Sequence, residues 1–174
     1  MTPKIIPTHR EIVMRDDDFI VTKTDPLGKL TYCNPIFIEF SGFSETELLG
    51  QQHNVVRHPD MPRAVFKLLW DTIKSGREFF GYVKNISKDG SFYWVYATVT
   101  PSYSADDNTE IIGYFSVRRK PESRKLSIIQ ALYQDMLTAE NNVDHHDAVN
   151  AGMRVLKNAI TITGKSYHDF ILTL

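Results

Sequence analysis

An α+β fold, in which short helices cover one face of a five-stranded antiparallel sheet and further helices follow it, is what the 174-residue sequence predicts. Two observations lead there. Five segments rich in β-branched and aromatic residues are punctuated by turn chemistry, in the order β, β, short helices, one longer helix, β, β, β, which leaves no room for the repeated βαβ units of a parallel sheet. Past Pro121 the pattern changes to apolar residues at helical steps. A chain of this length, 42 % hydrophobic, suits one compact domain with a small appendage: an N-terminal cap segment over 1–18, a domain over 19–120 and a helical extension over 121–174.

Each element has its own signal. "FIVTKTDPLGKLTYCN" gives strands over Phe19–Thr24 and Leu30–Cys33 around Asp25-Pro26-Leu27-Gly28, which is hairpin chemistry. "NPIFIEFSGFSETELLG" gives two short helices. Asn34 stands as N-cap with Pro35 at the first helical position, then Ser44 and Glu47 take capping-box spacing, with Gly50 as a stop. "MPRAVFKLLWDTIKSG" places Val65, Leu68, Leu69 and Ile73 at helical spacing between Pro62 and Gly76. "FFGYVKN" and "FYWVYATVTPSY" flank Ser87-Lys88-Asp89-Gly90-Ser91 as a second hairpin, and "IIGYFSVRR" is the fifth strand. In the extension, Leu126, Ile129, Leu132, Tyr133, Met136 and Leu137 form a stripe on a helix over 122–141. A further helix over about 147–163 carries Val149, Met153, Leu156 and Ile160. That seam suits pairing with a second copy or a partner, or folding back on the sheet.

Composition excludes several functions. With 20 basic and 21 acidic side chains, a net charge of -1 offers no field to draw in nucleic acid or an anionic membrane. The single cysteine, Cys33, closes no intrachain disulfide and builds no CxxC zinc site, and no signal peptide follows Met1, so a reducing cytoplasm fits. No run of eighteen apolar residues spans a bilayer. "TGKS" at 163–166 ends like a P-loop, but the motif's first glycine is replaced by Ala159. His145-His146-Asp147 lacks a partner at i+4 spacing for a metal, and His9-Arg10-Glu11 lacks the cysteine pair of zinc deaminases. Neither GxSxG nor GxGxxG is present, so nothing marks an enzyme.

The segment "HNVVRHPDMP", residues 53–62, is the densest polar stretch. An irregular surface loop before a helix accounts for it, with Arg57 and Asp60 paired and the histidines solvated. Its place between short helices that cover an open sheet also lets it close a pocket, with Arg57 and His58 turned toward an anionic or carbonyl-rich ligand. Asn34, at the end of the second strand, and Asn85, at the end of the third, offer amide donors and acceptors nearby. Either serves equally as a cap or turn residue.

With "KNISKDGSFYWV", this order of elements resembles the PAS family, and "SGFSETELLGQQHNVVRHPDMPRAVFKLLWDTIKSG" resembles the sensor domains of bacterial aerotaxis receptors of the Aer type, over roughly residues 18–140. The resemblance implies a PAS fold, a sensor rather than an enzyme, and noncovalent FAD whose redox state reports respiratory electron flow. It implies cofactor-binding roles for Arg57, His58 and Asp60 in the loop and for Asn34, Phe66 and Asn85 in the cleft, and His53 and Phe79 complete the expected cofactor-binding set. Phe79 stands where these receptors typically carry a tryptophan, keeping an apolar face but losing an indole N–H. Blue-light relatives carry a reactive cysteine in the segment corresponding to 50–58, and this chain has none there. Such receptors continue into a membrane anchor and a signalling coiled coil; the chain reads as a free-standing sensor subunit or a sensory fragment. Its expected partner is a soluble or receptor signalling protein, or a second copy met through the C-terminal helices. A haem-binding or cofactor-free PAS interaction module is the alternative. Haem in such domains commonly takes a histidine on the long helix; residues 62–75 contain none, leaving His53 and His58 as local candidates.

Overall fold

The computed structural model describes residues 5–106 and 109–174, so the first four residues of the cap segment lie outside the described residues. The five strands are β1 (Phe19–Thr24), β2 (Leu30–Cys33), β3 (Phe79–Ile86), β4 (Phe92–Tyr103) and β5 (Ile111–Arg119), in the order β2-β1-β5-β4-β3, with every neighbouring pair antiparallel. Between β2 and β3 lie α1 (Pro35–Ser41), α2 (Glu45–Leu48), a 3-10 turn over His53–Val56 and α3 (Arg63–Lys74). The expected caps are present. Asn34 accepts from the Phe37 N–H, and Ser44 and Glu47 form the reciprocal capping box.

Directly opposed residues of an antiparallel ladder share a face, so the register fixes what the helices cover. Thr22 opposes Ser116, Ile20 opposes Arg118, Arg118 in turn opposes Ala97, and Ala97 opposes Gly81; Asn85 opposes Tyr93 at the far end. Small residues therefore floor the middle of this face, where bulkier ones would fill it. The opposite face carries Tyr82, Trp94 and Tyr96. Tyr133 of α4 (Ser123–Asn141) comes within 6.3 Å of Trp94, ring centre to ring centre, and donates to the Tyr82 carbonyl at 2.9 Å.

From its far end α4 turns into α5 (Ala148–Thr163), which packs against both α4 and α3, and a short α6 (Tyr167–Leu172) lies along β3. The seam of α5 is turned inward: Leu156 is buried and Val149 faces the space beneath α3. The carboxylate of Glu140, at the end of α4, accepts from the N–H groups of Arg63 at 2.8 Å and Ala64 at 3.0 Å, the first residues of α3. Pro62, the N-cap of α3, supplies no side-chain cap, so Glu140 supplies it from 76 residues away. Gly152 of α5 makes room, since a Cβ there would run into that carboxylate and press on Ala64.

The last helix expected from the sequence covers about 147–163, and within the helical extension to 174 the structure adds α6. Its Ser166 cap accepts from the Asp169 N–H, and the Tyr167 hydroxyl donates to the Phe80 carbonyl at 3.0 Å. The cap segment also does more than cover. Its residues 8–12 hydrogen-bond to the β3–β4 hairpin, with Thr8 N–H on the Gly90 carbonyl at 2.8 Å and Ile12 N–H on the Phe92 carbonyl at 2.7 Å. Among the described residues no helix is long and apolar enough to cross a membrane.

Candidate functional site

A cavity of about 430 Å³ lies between the small-residue floor of the sheet and the inner face of α3. Phe66 and Trp70 of α3 form its roof, His53 and Arg57 one end, and Thr22, Asn85, Ser116 and Arg118 its polar floor. No aspartate or glutamate lines it among the described residues, whereas Arg57, Arg63, Lys67 and Arg118 do. Lys67 is already paired with Asp71 on the outside of α3. The cavity is therefore positive as well as partly apolar, which favours an anionic or carbonyl-rich ring system.

Arg118 is the anchor of this field. The guanidinium is 5 % exposed, and one of its nitrogens donates to Thr22 Oγ1 at 2.9 Å and to His53 Nε2, while the other, Nη1, has no partner. Burial pulls its pKa down to about 10, which still leaves it charged at neutral pH. Because a guanidinium only donates, His53 Nε2 must accept, and the ring proton of a neutral His53 sits on Nδ1. Burial first, and the Arg118 charge second, hold His53 at about 3, so it stays neutral. Asn85 Nδ2 and Ser116 Oγ, both on buried side chains lining the cavity, are likewise without partners. Unpaired buried polar atoms are costly and rare. Three of them stand on one cavity wall, free to hydrogen-bond a group placed there.

The 53–62 segment acquires a structural account. After the 3-10 turn, Arg57 forms an antiparallel bridge with Asn85, so the segment extends the exposed edge of β3. His58 is 2 % exposed and its Nδ1 accepts from the Asp60 N–H at 3.0 Å, while Lys84 reaches Asp60 at 2.9 Å. Burial, and then the Lys84 charge, bring His58 down to about 4. The Arg57 guanidinium stacks 4.0 Å above the Phe66 ring. Burial and the like charge of Arg63 both lower its pKa.

Of the residues singled out from sequence, His53, Arg57, Phe66 and Asn85 meet at the cavity. His58 lines an adjoining groove instead, and Asp60 lies outside both, fastened to Lys84. Asn34 also stands apart: its Oδ1 accepts from Val21 and Phe37 and its Nδ2 donates to the Phe19 carbonyl at 2.7 Å, so its polar atoms serve the β1–α1 junction. Phe79 stacks on Tyr167 of α6, centroids 5.8 Å apart, in space that Gly81 leaves open. Sequence reasoning missed Arg118, Ser116 and Thr22. As an axial ligand for haem, His53 would have to give up the Nε2 contact with Arg118, and His58 does not line the cavity.

Comparison with known proteins agrees with this architecture. Residues 30–115 match the family described as PAS fold. The chain is 37 % identical over 127 residues to the aerotaxis receptor of Escherichia coli strain K12, covering 73 % of this chain and 24 % of that receptor. It is 32 % identical over 101 residues to phototropin-2 of Oryza sativa subsp. japonica, covering 58 % of this chain and 11 % of that protein. The chain thus spans a quarter or less of these relatives. Among solved structures, the dark form of the blue-light photoreceptor Aureochrome1 LOV superposes with a TM-score of 0.55 at 19 % identity, over 63 % of this chain and 79 % of that one. Members of this family serve as sensing and signalling domains rather than as enzymes. By family match, strand order and the cavity its helices close, the chain belongs to the PAS family as a sensor domain related to the bacterial aerotaxis receptor.

Proposed function

We propose that the chain is a flavin-binding redox sensor module that holds FAD noncovalently in the cavity under α3 and passes its state to a signalling protein in the cytoplasm, as in energy taxis. One observation carries this reading: Asn85 Nδ2, Ser116 Oγ and Arg118 Nη1 are buried without partners on the wall of a cavity that no carboxylate lines among the described residues. A flavin ring presents carbonyl and imide groups along one edge and supplies reversible electron uptake when bound. Asn85 and Ser116 are suited to hydrogen-bond that edge, Phe66 and Trp70 to cover the ring's apolar surface, and Arg118 to hold a fixed positive charge beside it. Thr22 and His53 keep the Arg118 guanidinium oriented. The relationship to the aerotaxis receptor supports the redox assignment.

Denaturing the purified native protein and separating the released chromophore tests the proposal. FAD in near one-to-one ratio to chain is the expected result. Release of FMN or haem alone, or colourless protein that takes up no added FAD, would overturn it.

A further inference from the structure

Beside the cavity runs an open groove of about 820 Å³, and the two spaces share four residues, Gln52, Asn54, Arg57 and Arg63. The two spaces therefore adjoin at these residues. The near wall of the groove comes from the segment before α3, including Val55 and His58; the far wall comes from the C-terminal extension, with Leu137 and Asn141 of α4, Val143 and His145 of the connecting turn, and Ala148 of α5. Residues 137–148 lie outside the span that matches the PAS fold.

Resting on the flavin reading above, we infer that this groove seats the adenosine diphosphate half of the dinucleotide, so that the α4–α5 junction is itself a wall of the cofactor site. The charge at the junction fits a diphosphate. Arg57 and Arg63 both line the two spaces, and neither makes a salt bridge among the described residues. They lie near enough that the Arg63 charge lowers the Arg57 pKa, and the Glu140 charge, which raises it, offsets this only in part, so a repulsion remains that an anionic bridge between the arginines would relieve. The N-terminus of α3 does not compete for the phosphates, because Glu140 already occupies it. That carboxylate also borders the groove, but both its oxygens are engaged by those backbone N–H groups.

Beyond the arginines the lining turns mixed. Val55, Leu137, Val143 and Ala148 offer apolar surface for a purine, and Gln51, Asn141 and His145 offer partners for its edge and for ribose hydroxyls. A mononucleotide would reach the arginines but leave this part of the groove unused. The extension therefore selects the dinucleotide, and the bound cofactor in turn ties the extension to the sensor core.

Titration of the full-chain apoprotein with riboflavin, FMN and FAD, followed by quenching of flavin fluorescence, tests the assignment. FAD should bind at least about tenfold more tightly than FMN, a difference of roughly 1.4 kcal/mol. Arg63→Gln should weaken FMN and FAD and spare riboflavin. Val143→Trp, which fills the groove from its partly exposed rim, should weaken FAD about tenfold or more and leave riboflavin within about twofold. If that variant does not fold, His145→Glu at an exposed neighbouring position replaces it, with loss of FAD affinity that grows at low salt. Equal affinities for the three flavins, with no effect of either rim variant, would overturn the groove assignment and leave the flavin reading standing. No binding of any flavin would remove both.

Discussion

A buried guanidinium without a carboxylate is a cost to the folded chain, and Arg118 carries that cost on the cavity floor. Replacing it should therefore move two quantities in opposite directions. Arg118→Met is expected to leave the apoprotein as stable as before or more stable in thermal melts, while flavin retention falls. With charge-assisted hydrogen bonds worth about 1.5–3 kcal/mol, the potential of a bound two-electron flavin should drop by roughly 30–60 mV, measured by spectroelectrochemistry. Loss of apoprotein stability with no change in potential would reduce Arg118 to a packing residue. Its role was not legible in "FSVRR", where adjacent arginines at a strand end read as solvent-facing; only the register that sets Arg118 opposite Ala97 and Ile20 turns it inward. Arg57 stands out in the sequence among polar residues clustered before a helix start, and Asn85 as an amide at the end of the third strand, which makes both visible as candidates. The histidines give a pH signature. His53 and His58 are held at about 3 and about 4, against 6.5 in the unfolded chain, so below pH 6.5 the unfolded state binds more protons. Their contribution to stability is complete above pH 6.5 and is lost as pH falls toward 4 and then 3, at up to about 1.4 kcal/mol per pH unit for each proton. Urea melts from pH 7 to 4 should show this slope, and His58→Phe should remove about half of it. Cys33, buried in β2 with its thiol pKa raised by burial, does not line the cavity, so blue light should leave no reversible cysteinyl bleach in the flavin spectrum.

At the scale of elements, α3 connects the cavity to the extension. Its inner face roofs the cavity through Phe66 and Trp70, and its first N–H groups are held by Glu140. Glu140→Ala removes two charge-assisted hydrogen bonds and a favourable charge at a helix N-terminus, and should cost roughly 2–3 kcal/mol in urea unfolding. Gly152→Ala should destabilise by about 1–3 kcal/mol because the added methyl meets the same carboxylate. The two losses share a cause, so in a double-mutant cycle their sum should exceed the loss in the double variant; strict additivity would show that the clasp does not couple α3 to α5. Elements with a local signature were legible. Capped helices and hairpins carry their instructions in three or four neighbouring residues, as at Ser44–Glu47 and Asp25–Gly28. The Glu140 cap was not, because a mid-sequence carboxylate reads as solvated helix surface until the fold brings residue 63 to it. The six-residue α6 fell below the length at which periodicity speaks, and its docking depends on a stacking partner, Phe79, far away in the chain.

Across the whole molecule, the inward turn of the α5 seam changes what an output can be. Val149 faces the cavity and Leu156 is buried, so a second copy or a partner does not meet this seam while the hairpin is docked. On the proposed redox reading, control requires two arrangements of the α4–α5 hairpin whose relative stability depends on the charge held in the cavity. A swing from 1:99 to 99:1 needs about 5.5 kcal/mol, equivalent to about 240 mV of difference in a one-electron potential between the arrangements. A single guanidinium contact supplies roughly a third to a half of that at most, so a partial shift in population is the expected outcome. Hydrogen exchange on oxidised and dithionite-reduced protein measures it. Protection should change together in α3, in 137–148 and along α5, because Glu140 and the groove join them, while β2, which lines neither the cavity nor the groove, keeps its own. In Glu140→Ala the change at α3 should persist and the change in α5 should shrink, since the roof still senses the cavity but no longer grips the hairpin. Exchange that is identical in both redox states, or a change in α5 that survives loss of Glu140 undiminished, would show that the signal does not travel by this clasp.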